Sequence, residues 1–108
     1  MKRIKIGKYE YDTKTTQLGK SFNEIKIPKG AELWDYKDCI KLHNNKKHRE
    51  QLNLEDCWFF IKQPFKLNKR EGFIAWFIAG SDRADLFCGR IPQDSYSGLG
   101  VRFKRSLK

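Results

Sequence analysis

Between Ile74 and Cys88 the chain alternates with period two, in two runs. Ala75, Phe77 and Ala79 occupy one set of positions in the first run, with Trp76, Ile78 and Gly80 between them. After Ser81-Asp82-Arg83 the alternation resumes out of phase, with Ala84, Leu86 and Cys88 set against Asp85 and Phe87. Successive side chains of a strand point to opposite faces, so the pattern predicts two strands. The break, with Gly80 at its start, suits a hairpin turn that makes them antiparallel. One face is then small, uniform and suited to packing, and the other gathers Trp76, Ile78, Asp85 and Phe87. Two readings of that second face stand open: an uncovered patch that marks an interaction site, or a second layer of core on a strand buried on both sides.

The rest of the chain supplies what such a hairpin packs against. "KRIKIGKYEYD" reads as an extended segment, an edge strand whose lysines discourage pairing with other chains. Residues 12–22 read as a loop, and "NEIKIP" as a short strand stopped by Pro28. Leu33, Tyr36, Ile40 and His43 recur at helical spacing with Asp35 as an N-cap. Asn44 or Asn45 caps a second, weaker pattern anchored by Leu52 and Leu54, so two short helices are expected between Leu33 and Leu54. "CWFFIKQPF" is apolar enough for a central strand, "KLNKREG" and "RIPQDSYSG" are connections, and "LGVRFKRSLK" gives a closing strand with Val101 and Phe103 facing in.

A chain of 108 residues is one domain, 1–108, that buries roughly 60–70% of its unfolded surface and folds without metal or disulfide. Eight Phe, four Tyr and three Trp fall mostly after residue 57, which places the core mainly in the C-terminal half. Cys39, Cys57 and Cys88 are odd in number and widely spaced, so buried free thiols are expected rather than a disulfide framework. No apolar run approaches a membrane span, and Met1-Lys2-Arg3-Ile4 leads into charge rather than into a signal region, so the expectation is a soluble chain. The formal charge of +10 invites polyanions, but it is diffuse: 13 Lys+Arg against 7 Asp+Glu in residues 1–50, then 10 against 6. A diffuse excess reads as a solvated surface.

From Glu71 onward the choice of residues narrows. No Lys occurs between Lys69 and Lys104 and no Glu follows Glu71, yet Asp82, Arg83, Asp85, Arg90, Asp94 and Arg102 lie there. The stretch avoids residue types rather than charge. Residues 72–105, "GFIAWFIAGSDRADLFCGRIPQDSYSGLGVRFKR", resemble the variable region of the target proteins of diversity-generating retroelements, especially the compact archaeal ones. The resemblance rests on Ala75-x-Phe77-x-Ala79-x-Ser81-x-x-Ala84-x-Leu86-x-Cys88, then Pro92 and "LGVRF". Residues 27–61 are similar to the helical half of the same proteins.

The resemblance implies an α+β chain of C-type lectin-like fold, two short helices packed on a small, mostly antiparallel sheet. In that family an error-prone reverse transcriptase randomises template adenines. Asn codons ending in a pyrimidine then yield Asp, Gly, Ile, Arg, Phe, Tyr or Ser but not Lys, Glu, Gln, Met or Trp; Trp76 and Gln93 fall outside that set. Carried over by position, the ligand-binding surface comprises Trp76, Ile78, Gly80, Asp82, Arg83, Asp85 and Phe87 from the hairpin. Gly89, Arg90, Ile91, Asp94, Tyr96 and Gly98 follow it. Trp76, Phe87, Tyr96 and Arg90 are its expected anchors. The implied function is binding of a protein or other surface ligand, with neither catalysis nor a cofactor.

Other chemistries have weaker signatures. Cys39 and His43 share a helix face at i, i+4, but with His48 and Cys57 they match no zinc spacing. "KQPFK" and "IPQDS" lack the hard oxygen ligands of calcium-dependent lectins, and Cys88 has no nearby partner of the kind the formylglycine-generating relatives of that fold use. The competing expectation is a small basic nucleic-acid-binding module. It would place Lys46, Lys47, Arg49, Arg102, Lys104 and Arg105 on phosphates and stack bases on Trp76 or Phe87.

Overall fold

Gly7, at φ +64°, turns Arg3–Ile6 (β1) back onto Tyr9–Asp12 (β2), so the first extended segment is a hairpin of two strands. The computed structural model describes residues 2–62, 74–80, 84–90 and 97–107, the side chains of residues 74 and 87–90 excepted. After β2 come Ala31–Leu33 (β3), helices Tyr36–Asn44 (α1) and Lys46–Gln51 (α2), then Asp56–Phe60 (β4), Ile74–Gly80 (β5) and Ala84–Arg90 (β6). Leu99–Val101 (β7) and Phe103–Ser106 (β8) follow.

The expected single sheet is two four-stranded sheets. The first runs β1-β2-β8-β3 and is antiparallel throughout; the second runs β6-β5-β4-β7, with only the β4–β7 pair parallel. The expected closing strand is divided between them at Arg102. Its guanidinium donates to the carbonyls of Leu52 and Asn53 and to Thr15 Oγ1, and lies over the rings of Trp34 and Phe59 at 5.9 and 5.3 Å. Trp34 completes the joint: its Nε1 donates to the Phe103 carbonyl at 3.0 Å, and its ring meets Tyr11 and Phe59 edge-on, each at 5.1 Å.

Asp35 and Asp38 cap α1 reciprocally, each carboxylate accepting from the other's backbone N–H at 2.8 and 3.0 Å. Asn45 ends α1 and caps α2, accepting from the His48 N–H. Leu33 therefore ends a strand, and the helix starts at Tyr36. Cys39, Leu42 and His43 form the buried face of α1, joined by Leu52 and Leu54 beyond α2. With Tyr11 and Trp34 they give the N-terminal half a larger share of the core than aromatic counting predicts.

No strand forms at "NEIKIP". Phe22–Glu24 is a 3-10 turn closed by Ser21 and Glu24, and the Gln17 side chain both donates to and accepts from the Lys26 backbone. Those backbone groups are satisfied locally and need no neighbouring strand. No helix among the described residues is long and apolar enough to cross a membrane.

Candidate ligand-binding face

The hairpin forms in the expected register, with Phe77 opposite Leu86, Ile78 opposite Asp85 and Ala79 opposite Ala84. Phe77 and Ala79 are sealed in one core with Cys39 and Leu42 of α1 and Ala75 is fully buried, while Ala84 and Leu86 pack partly buried against that core. His43, buried on α1, fixes the end of β5: its Nε2 lies 2.7 Å from the Gly80 carbonyl and its ring meets Phe77 edge-on. At its described residues, the helix side of the second sheet is thus turned to packing.

The opposite side of the sheet is divided. Near Phe60 it carries a second apolar cluster of Leu33, Phe60, Trp76, Leu99, Val101 and Phe103, flanked by Phe22 and Ile25. Trp76 belongs to this cluster and is 7% exposed. The expectation that Trp76 projects into water as a binding anchor is corrected by that burial, because the turn at residues 22–25 and the two C-terminal strands bring enough apolar surface to cover the indole. The cover thins one residue pair further along, where Ile78 still packs against the edge of this cluster. Ile78 and Asp85 are half-buried, and Trp58, opposite Ile78 on β4 and Leu99 on β7, is 43% exposed.

Trp58 is the residue that sequence reasoning missed. "CWFFI" reads as uniformly apolar, yet period two separates Cys57, Phe59 and Ile61, which pack on the first core, from Trp58 and Phe60. Of the other expected site residues, Gly80 closes the hairpin strand, its carbonyl held by His43, and Gly98 is exposed ahead of β7. Phe87, Gly89 and Arg90 lie on β6 by backbone. Asp82, Arg83, Ile91, Asp94 and Tyr96 lie outside the described residues.

The basic residues assigned to phosphate contacts are divided as well. Arg102 is 3% exposed and fully used inside the protein. Lys104 is buried on Asp38 and Asp35, and Arg105 pairs with the buried Asp12 at 3.4 Å, alongside Arg3 at 3.1 Å. Arg49 donates to the His43 carbonyl and pairs with Glu55. Lys46 and Lys47 are exposed. Four of the six proposed phosphate ligands therefore serve internal contacts, which removes most of that footprint.

Burial pushes the Cys39 thiol well above its ordinary range, with Asp38 and Asp35 adding to the effect, and burial raises Cys57 too. Cys39 is fully buried and Cys57 half-buried; neither is in a disulfide. Both are protonated at neutral pH and poor nucleophiles. Among the described residues no group of three or more His, Cys, Asp or Glu side chains converges as a metal site would require. No family model, characterised protein or solved structure matches the chain.

Proposed function

We propose that this chain is a ligand-binding protein that displays a diversifiable surface on the second sheet, as the target protein of a diversity-generating retroelement with a C-type lectin-like fold. The observation that carries the reading is the division of burial along β5 and β6. The residues matching the family's fixed pattern, Ala75, Phe77, Ala79, Ala84 and Leu86, are buried or partly buried in the core, whereas on the other face Asp85 and Ile78 are half-buried beside Trp58, Ile78 at the edge of the second cluster. Substitutions at half-buried positions cost less stability than those in the sealed core, so the backbone can stay constant while this face changes. Trp76 fits this division: it lies outside the set of residues reachable from Asn codons, and it packs as scaffold.

On this reading Trp58, upstream of the 72–105 segment, is a constant aromatic beside variable neighbours. An exposed indole offers large contact area at low entropic cost. The test is the adjoining DNA. A near-identical copy of the segment encoding residues 72–105, differing only at adenines and lying beside a reverse transcriptase gene, is the expected finding. A locus without such a copy overturns the proposal.

A further inference from the structure

The β1–β2 hairpin and α1 line a half-open pocket of about 320 Å³ that involves neither Trp58 nor Ile78. The hairpin contributes Ile6, Lys8, Tyr9 and Tyr11 to its wall, and α1 contributes Asp38, Lys41 and Leu42. The volume lies at the lower end for small-molecule sites, enough for one ring system and one acid group.

Asp38, the only acid among the described residues of that wall, is already engaged. Its Oδ1 accepts from the Tyr11 hydroxyl at 3.3 Å, and its Oδ2 accepts from Lys104 Nζ and the Asp35 N–H. Lys104 also lies 3.8 Å from Asp35 and 4.5 Å above the Tyr9 ring. Around Lys104, then, two carboxylates meet one ammonium. Lys8 and Lys41 at the rim are exposed and enter no ion pair among the described residues, so two cations outweigh the single uncompensated carboxylate. Tyr9 and Tyr11, with centroids 6.1 Å apart, supply aromatic wall next to the apolar Ile6 and Leu42.

We propose that this cavity binds a small planar aromatic anion, its ring against Tyr9 and the apolar wall and its acid group at the ammoniums of Lys8 and Lys41. A lysine ammonium is a compact point charge that accepts carboxylate and phosphate alike, so the class includes aromatic carboxylates and nucleoside monophosphates. A cation is disfavoured because no free carboxylate lines the wall among the described residues. The site is independent of the display surface, and neither proposal needs the other.

The test is a titration of the intact chain followed by backbone amide NMR, with indole-3-acetate and 5′-AMP as ring-bearing anions, tryptophol as the neutral ring and acetate as the anion without a ring. The expected result is saturable shifts at Gly7, Lys8 and Lys41 with at least one ring-bearing anion, and weaker binding of tryptophol and acetate. Saturation by 5′-AMP alone assigns phosphate as the acid group, and by indole-3-acetate alone carboxylate; either supports the site. Replacing both rim lysines (K8A with K41A) should weaken binding about three- to tenfold, the range for two exposed charge contacts, with the unfolding midpoint unchanged. No saturation by either ring-bearing anion through the millimolar range overturns the proposal. So does tryptophol equalling indole-3-acetate, or undiminished binding in the double variant.

Discussion

Two tryptophans on one face of the second sheet should respond unequally to truncation. Trp76 is 7% exposed among Phe60, Leu99 and Val101, whereas Trp58, on the neighbouring strand, is 43% exposed. An aromatic side chain buries roughly 150–250 Å², which at about 25 cal/mol/Å² gives an upper bound near 5–6 kcal/mol for Trp76. Removing it also leaves a cavity, and buried Trp→Ala changes cost about 3–5 kcal/mol. Trp58 buries little more than half as much, and water fills the space it leaves, so Trp58→Ala should cost about 1–2 kcal/mol. With a urea m-value of about 1.5 kcal/mol/M, these become midpoint shifts of about 2–3 M for Trp76→Ala and about 1 M for Trp58→Ala. Urea unfolding followed by far-UV circular dichroism measures both. Equal midpoints for the two variants would refute the division of this face into scaffold and display.

Arg102→Met should lose about 3–5 kcal/mol, because the carbonyls of Leu52 and Asn53 lose their buried donor; a loss below about 1 kcal/mol in chemical unfolding would contradict the structural role. Gly100→Ala should destabilise by at least about 2 kcal/mol, since the added Cβ would collide with the Thr16 carbonyl oxygen and that oxygen belongs to backbone paired with Val101; an unchanged thermal midpoint would show that the strand gives way. Stability should fall on the alkaline side. Burial raises Cys39, Cys57 and Tyr11; Lys104 is raised although burial opposes it, because its bond to Asp38 and the charges of Asp38, Asp35 and Glu32 together outweigh that effect. All four hold protons in the fold that the unfolded chain releases, so their contribution is complete below about pH 8.5 and is lost progressively as pH rises above it. Tyr11→Phe should make the decline above about pH 10 shallower, as read from unfolding midpoints across a pH series.

The hairpin, both helix caps and the anchors Leu52 and Leu54 were legible because each follows from a local rule: alternation, side-chain capping or helical spacing. What escaped depends on partners distant in sequence. Nothing near Trp76 announces that Phe22, Ile25 and Phe103 will cover it, and nothing near Arg102 announces that Leu52 and Asn53 will take its guanidinium. The 3-10 turn at Phe22–Glu24 escaped for a different reason: Gln17 occupies the backbone groups of Lys26 that a strand would have used. Trp58 alone was recoverable from alternation, since its neighbours Cys57 and Phe59 pack on the opposite side.

β8 is the penultimate strand in space but the last in chain order, lying between β2 and β3. On a ribosome, therefore, the two early strands wait for residues 103–106 to emerge before either gains that neighbour. The first sheet can therefore close only after the hairpin of β5 and β6 has been synthesised, so its strands stay unpaired on that side until the second sheet's sequence has emerged.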